Sequence, residues 1–192
     1  DAVDARVDHN LTANDKIFGR VSISRYDNLR DSVFETPARG GQNNDRAFDD
    51  NDARSVAFSY TRLFTTRLLN EFRYGFIRQK VDKRELSKEL ASELNARYGI
   101  KGIPPNNRLF GLPQFDLGGA IGYAGFGEPG SMPNFKIHQV HQYLDNVSWN
   151  RGNHNFKFGM DLRWNRSDIF GGASSHGNLS FDGQFTRVSL GD

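Results

Sequence analysis

No cysteine occurs in this chain of 192 residues, an absence compatible with the cell envelope and equally with the cytosol, so it decides little. Long hydrophobic runs are also missing. No uninterrupted apolar stretch comes near the roughly 18 residues of a membrane-crossing helix, so any passage through a bilayer has to be made by strands. Charge of one sign is lacking too: 25 Lys and Arg stand against 23 Asp and Glu, a formal +2. The two signs are interspersed, which excludes the coherent basic surface of a nucleic-acid binder. Apolar residues make up only 36%, and mean hydropathy is −0.66. Against that scarcity stand 16 Phe and an aromatic share of 12%, far too aromatic for a disordered chain.

What is present is alternation. Between Asn155 and Asn165, Phe156, Phe158, Met160, Leu162 and Trp164 share one face, while Lys157, Gly159, Asp161, Arg163 and Asn165 share the other. A period of two is the signature of a strand with one apolar and one wet side. Full charges on one side and a row ending in Trp on the other suit lipid outside and water inside.

Similar segments recur. About seven strands are expected, with roughly ten residues per crossing: Ala2 to His9, Lys16 to Asp27, Ala53 to Leu63, Leu68 to Val81, Phe135 to Trp149, Asn155 to Ile169 and Asn178 to Phe185. In the fourth, Phe72, Tyr74 and Phe76 oppose Glu71, Arg73 and Gly75. The polar turns Asn10 to Asp15, Phe64 to Arg67 and Asn150 to His154 are short, whereas Asn28 to Asp52 and Asp82 to Asn134 are long. Short turns at one rim and long loops at the other are the plan of an outer-membrane β-barrel. The fold class expected is therefore all-β, an antiparallel up-and-down meander forming part of a transmembrane barrel. Lipid-facing residues are then Phe72, Tyr74, Phe76, Phe156, Phe158, Met160, Leu162 and Trp164; lumen-facing ones are Glu71, Arg73, Lys157, Asp161 and Arg163. A soluble all-β binding module would alternate as well, but its apolar row would lie under a second sheet.

Within the longest connection, Asp82 and Glu85 have capping-box spacing, Leu86, Leu90 and Leu94 follow at helical intervals, and Gly99 supplies a stop. One short helix is predicted there. Its leucine stripe could dock a partner, but such stripes more often pack on their own neighbours.

Other motifs have plain readings. The glycines at 125, 127 and 130 match the letters of a dinucleotide fingerprint, but Pro129 and Pro133 follow and no helical period appears, so a loop is expected. His138 and His141, three apart on a strand, point to opposite faces and form no metal pair. Asp45, Asp49, Asp50 and Asp52 could attract Ca²⁺, although a solvated acidic loop is the simpler reading. Trp149 and Trp164 fit aromatic girdles at the two ends of one hairpin. No nucleophile–base constellation, metal cluster or cofactor-binding motif stands out, so an enzyme is the weaker class.

The segments "VDHNLTANDKIFGRVSISRYD", "FSYTRLFTTRLLNEFRYGFIR", "DNVSWNRGNHNFKFGMDLRWNR" and "GNLSFDGQFT" resemble the barrel of TonB-dependent outer-membrane receptors. They are most similar to the large Oar-like kind that carries a carboxypeptidase-regulatory-like domain. The hairpin Asp145 to Arg166 bears the resemblance most specifically, through Trp149, Arg151, Gly152, His154, Lys157, Phe158, Gly159, Asp161 and Arg163. Most strands are covered and the long loops are not. The resemblance implies uptake of a scarce ligand (a siderophore, vitamin, glycan or peptide) into the periplasm. It further implies contact with outer-membrane lipid, and coupling to the TonB complex through a plug domain that residues 1–192 do not contain. Such receptors close at about 22 strands, so the chain is expected to be an internal excerpt, roughly a third of the wall.

Overall fold

The structure, a computed structural model, describes residues 1–30, 48–106, 108–117, 123, 125–172 and 174–183. Its elements are β1 (Ala2–Asn10), β2 (Asp15–Leu29), β3 (Phe48–Thr65), β4 (Leu68–Arg84), α1 (Ala91–Arg97), β5 (Gln114–Asp116), β6 (Asn134–Arg151), β7 (His154–Phe170) and β8 (Asn178–Ser180). Six of them form one antiparallel sheet in the order β1-β2-β3-β4-β6-β7. This is a meander, as the alternating segments require, and among the described residues β1 and β7 are its unpaired borders.

Tight turns join β1 to β2, β3 to β4 and β6 to β7, and the meander puts all three at the same end of the strands. In the first, the Leu11 amide donates to the Asp15 carbonyl at 2.9 Å and the Thr12 hydroxyl to the Asp15 carboxylate at 2.6 Å. Ala2 then faces Ser24 and Asn10 faces Lys16, so Val3, Ala5 and Val7 lie beside Ile23, Val21 and Gly19. In the third, Gly152 holds φ +58° at the first central position of a two-residue turn, a conformation that matches the twist of the flanking strands.

The chain divides into two compact units: Asp1–Tyr26 with Asn51–Val81 and Lys136–Asp168, and Asp27–Asp50 with Asp82–Phe135 and Ile169–Asp192. The first is the body of the sheet. Among the described residues it contains no buried hydrophobic side chain; Leu86, Ala91, Leu94, Leu109, Leu112 and Met132, the dry core, all belong to the second.

Three sequence expectations change in detail. The segment beginning at Asn178 is a three-residue strand that pairs in parallel with β5, Gln114 facing Asn178 and Asp116 facing Ser180; residues 184 and 185 lie outside those described. The helix is shorter than the leucine spacing suggests. Asp82 does not cap it, because β4 continues to Arg84, where Lys83 meets Asp49 at 3.5 Å and Arg84 binds Asp50. Leu90 is the N-cap instead, extended and without a side-chain cap, and Gly99 at φ +69° follows the last turn as expected. Finally, Asp49, Asp50 and Asp52 belong to β3 rather than to a loop, while Asp45 lies outside the described residues.

Candidate membrane-facing wall and loop groove

Strand alternation sorts the side chains of the sheet onto two chemically distinct faces. On one, Phe158, Met160, Leu162 and Trp164 stand 61%, 63%, 58% and 53% exposed. No second layer among the described residues covers them. Moving a large apolar side chain of this kind from water into hydrocarbon gains about 1.5–3 kcal/mol, so such a row calls for an apolar surrounding. Phe72, Tyr74 and Phe76 share this face on β4, half-buried by their neighbours.

Both ends of the row carry aromatic clusters. Near the turn, the Trp149 and Phe156 rings lie 5.6 Å apart. Eight residues further along β7, Trp164 packs against His141 with tilted rings 5.2 Å apart; Phe76 reaches the same imidazole at 4.7 Å, and the Tyr74 hydroxyl hydrogen-bonds its Nδ1 at 2.9 Å. Eight residues of strand span about 26 Å, close to the ~25 Å apolar band of an outer-membrane barrel before tilt is allowed for. The histidine is therefore a member of an aromatic cluster. Alternation along β6 puts His138 on the opposite face, so the two imidazoles are not brought together.

The other face is polar, and its charges are matched locally. Arg73 pairs with Glu71 at 2.5 Å, Arg163 with Asp161 at 2.9 Å and Arg6 with Asp8 at 2.7 Å, each two residues apart on one strand. Across strands, Arg20 meets Asp4 at 2.8 Å, Ser22 donates to the same carboxylate, and the Gln142 amide reaches both oxygens of Asp161 at 3.1 Å. Lys157 is exposed on this face as well. Between the charges, Ser55, Ala57 and Gly75 leave a groove of about 340 Å³ bordered by Arg20, Ser22 and Gln142. Alternation holds no hint of this furrow, which arises because small residues of adjacent strands fall side by side.

Beyond the apolar band, towards the long connections, charge returns. Asp52 accepts from Arg54 at 2.8 Å and from Arg25 at 3.1 Å, and these guanidinium groups, Arg54 foremost, hold its carboxyl below the usual carboxylate range. Asp49, Asp50 and Asp52 are thus matched to arginine and lysine on the same or neighbouring strands.

In the loop unit, the glycines at 125, 127 and 130 have a packing role. A Cβ on Gly127, at φ +90°, would come within 1.8 Å of the Pro113 carbonyl oxygen, and one on Gly125 within 2.5 Å of that of Phe115. The bare glycine backbone lets the chain lie directly on Pro113–Asp116, with Phe115 stacked on Phe126 at 4.4 Å. The same approach buries Glu128 completely, where it accepts the Ser87 amide at 3.1 Å. His176, 1% exposed, sits between the Phe110 carbonyl at 2.9 Å and Glu85 at 3.2 Å. Because a carbonyl only accepts, Nε2 carries the proton. Leu86 and Leu94 are buried in this unit and Leu90 forms a bridge with Phe110, so the leucine stripe serves the loop's own core. Beside it lies a groove of about 330 Å³ with Phe48, Phe110, Pro133 and Phe135 on its walls and Arg84, Lys88 and Arg108 at its edge. Sequence reasoning misses Glu128 and His176, and sees Glu85 only as a capping residue, since their partners are distant along the chain.

The family model described as "Outer membrane beta barrel domain" matches residues 1–192, the whole chain. No curated protein and no solved structure matches it. No helix among the described residues is long and apolar enough to cross a membrane, and the strands supply what a helix does not. An antiparallel meander, an apolar face left uncovered among the described residues, a charge-matched polar face and a whole-chain match agree: the chain belongs to the outer membrane beta barrel domain family and resides in the outer membrane.

Proposed function

We propose that the chain forms wall and loops of a TonB-dependent receptor that binds a scarce ligand and imports it into the periplasm. The observation that carries this reading is the hairpin from Asp145 to Arg166, whose Trp149, Gly152, Phe158, Asp161 and Arg163 resemble those receptors. In it, Phe72, Tyr74, Phe76, Phe156, Phe158, Met160, Leu162 and Trp164 meet lipid. Glu71, Arg73, Lys157, Asp161 and Arg163 line the water-filled interior, where their local pairing keeps the wall close to neutral. The partners are outer-membrane lipid, the TonB complex acting through a plug domain, and a small ligand such as a siderophore, vitamin, glycan or peptide. Transport, not catalysis, is the activity.

Cross-linking tests the coupling. Affinity-tagged full-length protein treated with formaldehyde in living cells should co-isolate TonB; no adduct, in cells where a known TonB client does cross-link, overturns the reading. The groove beside Phe110 is the first place to look for ligand contact. Its aromatic walls offer apolar surface, and Lys88 has no ion pair among the described residues. Doubly reversing its charges, Lys88→Glu with Arg108→Glu, should weaken uptake of an anionic ligand about tenfold or more. Assembly should be unaffected, because both side chains are exposed. Unchanged uptake of every anionic cargo would remove the groove from the ligand path.

A further inference from the structure

On the outward face, the apolar band ends in arginine on four strands. Ile23 is followed by Arg25 on β2, Val56 is preceded by Arg54 on β3, Phe76 is followed by Arg78 on β4 and Trp164 by Arg166 on β7, each two residues further along the same face. Alternation makes these four guanidinium groups neighbours of the last apolar side chain rather than of the polar interior. Two of them are already matched, since Arg25 and Arg54 share Asp52.

The other two converge. Phe76 and Trp164 both pack against His141 with tilted rings, at 4.7 and 5.2 Å, from opposite sides of β6. One step further along the same face, that register places Arg78 and Arg166 on either side of Gln139. Strand spacing puts the two backbones about 10 Å apart there, within the reach of two long side chains towards a common point. Arg166 is bound at 2.9 Å to Asp168 and is 57% exposed, whereas Arg78 has no ion pair among the described residues. The patch therefore carries an excess positive charge immediately beyond a ring of Tyr74, Phe76, His141 and Trp164.

We propose that Arg78, Gln139 and Arg166 bind the phosphate of a membrane lipid at this interface, with the lipid's acyl chains lying on Phe76 and Trp164. Two guanidinium forks match the oxygens of one phosphate and form charge-assisted hydrogen bonds. The glutamine amide between them adds a neutral donor. Such a group is the anion that meets a side chain at the end of the hydrocarbon, and its chains would cover the exposed aromatic row below. A free phosphate would leave that row uncovered, which is why a lipid is the occupant assigned. The proposal rests on this face meeting lipid, as in the function proposed above.

Full-length protein purified in detergent from outer membranes supplies the test. Titrated with dihexanoyl phosphatidate, it should bind at least about tenfold more tightly than the double variant Arg78→Gln/Arg166→Gln. The Arg78→Lys/Arg166→Lys variant, keeping the charge and losing the forks, should fall between. Arg6→Gln, on the polar face of β1, should bind like the parent. Equal affinity in parent and double variant overturns the proposal, as does an equal loss in Arg6→Gln. Should the double variant fail to assemble, the parent alone decides: phosphatidate must be preferred to the corresponding diacylglycerol, and inorganic phosphate must not compete at equal concentration. Absence of either preference overturns the assignment. These measurements use protein already inserted and extracted, so a negative result leaves the membrane placement of Phe158 standing; that placement is tested separately, by comparing assembly of arginine variants at 158 and 161.

Discussion

Phe158→Arg is expected to abolish outer-membrane assembly of the full-length protein, whereas Asp161→Arg, three residues away on the same strand, is expected to leave it nearly intact. Phe158 is 61% exposed on the apolar face, between Phe156 and Met160. No carboxylate of β7 shares that face between Phe156 and Trp164, and Asp145 across the ladder is already bound by the Asn70 amide at 2.6 Å. In hydrocarbon an arginine near mid-depth costs about 2–4 kcal/mol, and it does so during insertion, when the strand has few other contacts. Asp161 belongs to the polar face with Gln142 and Arg163. Its reversal places two arginines side by side, a repulsion that water and salt screen. The measurement is the heat-modifiable electrophoretic shift of the folded barrel in isolated outer membranes. Equal yields of folded protein for the two variants, high or low, would remove lipid from the account of this face.

Gly127→Ala is expected to unfold the loop unit while leaving the strands assembled. The new methyl group would stand 1.8 Å from the Pro113 carbonyl oxygen, and its backbone would be held at φ +90°. Backbone strain of this kind costs about 1–3 kcal/mol, and overpacking against a close neighbour about 1–3 kcal/mol more. The obstructing atom is backbone, so no side chain can rotate aside. Separation of the two segments would expose Glu128, Leu112 and the Phe115–Phe126 stack together. Hydrogen exchange reads this directly: the amides of Ser87, Leu94 and Phe126, each bonded within the unit, should lose protection, and those of β6 and β7 should keep it. Gly152→Ala is the control, because a Cβ there meets nothing within 4 Å, although its φ of +58° adds a modest local strain. Retained protection at Ser87 and Phe126 in the Gly127 variant would show that the close approach is not needed.

Legibility differs sharply between the two parts of the chain. Six strands and the alternation of side chains along them can be read in advance, and the strand from Asn155 to Asn165 needs nothing beyond its alternation. The ends of strands are less readable. β3 begins at Phe48 and β4 runs to Arg84 because Asp49 and Asp50 meet Lys83 and Arg84 across the ladder, and a cluster of acidic residues looks the same in a loop as in a charged strand extension. The capping-box spacing of Asp82 and Glu85 is overridden for that reason: one residue stays in β4 and the other turns to His176.

Sequence by itself determined the six long strands of the sheet and the alternation along each, though not the seventh expected at Asn178, since a strand with two unlike faces writes both of them into its own residues with a period of two. In the loop unit the sequence showed the short helix, its leucine stripe and the stop at Gly99, and tertiary structure decided the rest. There Glu85 finds His176, Gly127 admits Pro113, and the strand at Asn178 pairs in parallel with that at Gln114. These contacts join residues far apart in the chain through backbone shape and burial, and none leaves a local pattern to read. The same holds for Arg78 and Arg166, ordinary charges on their own strands, which become a pair only when both flank β6.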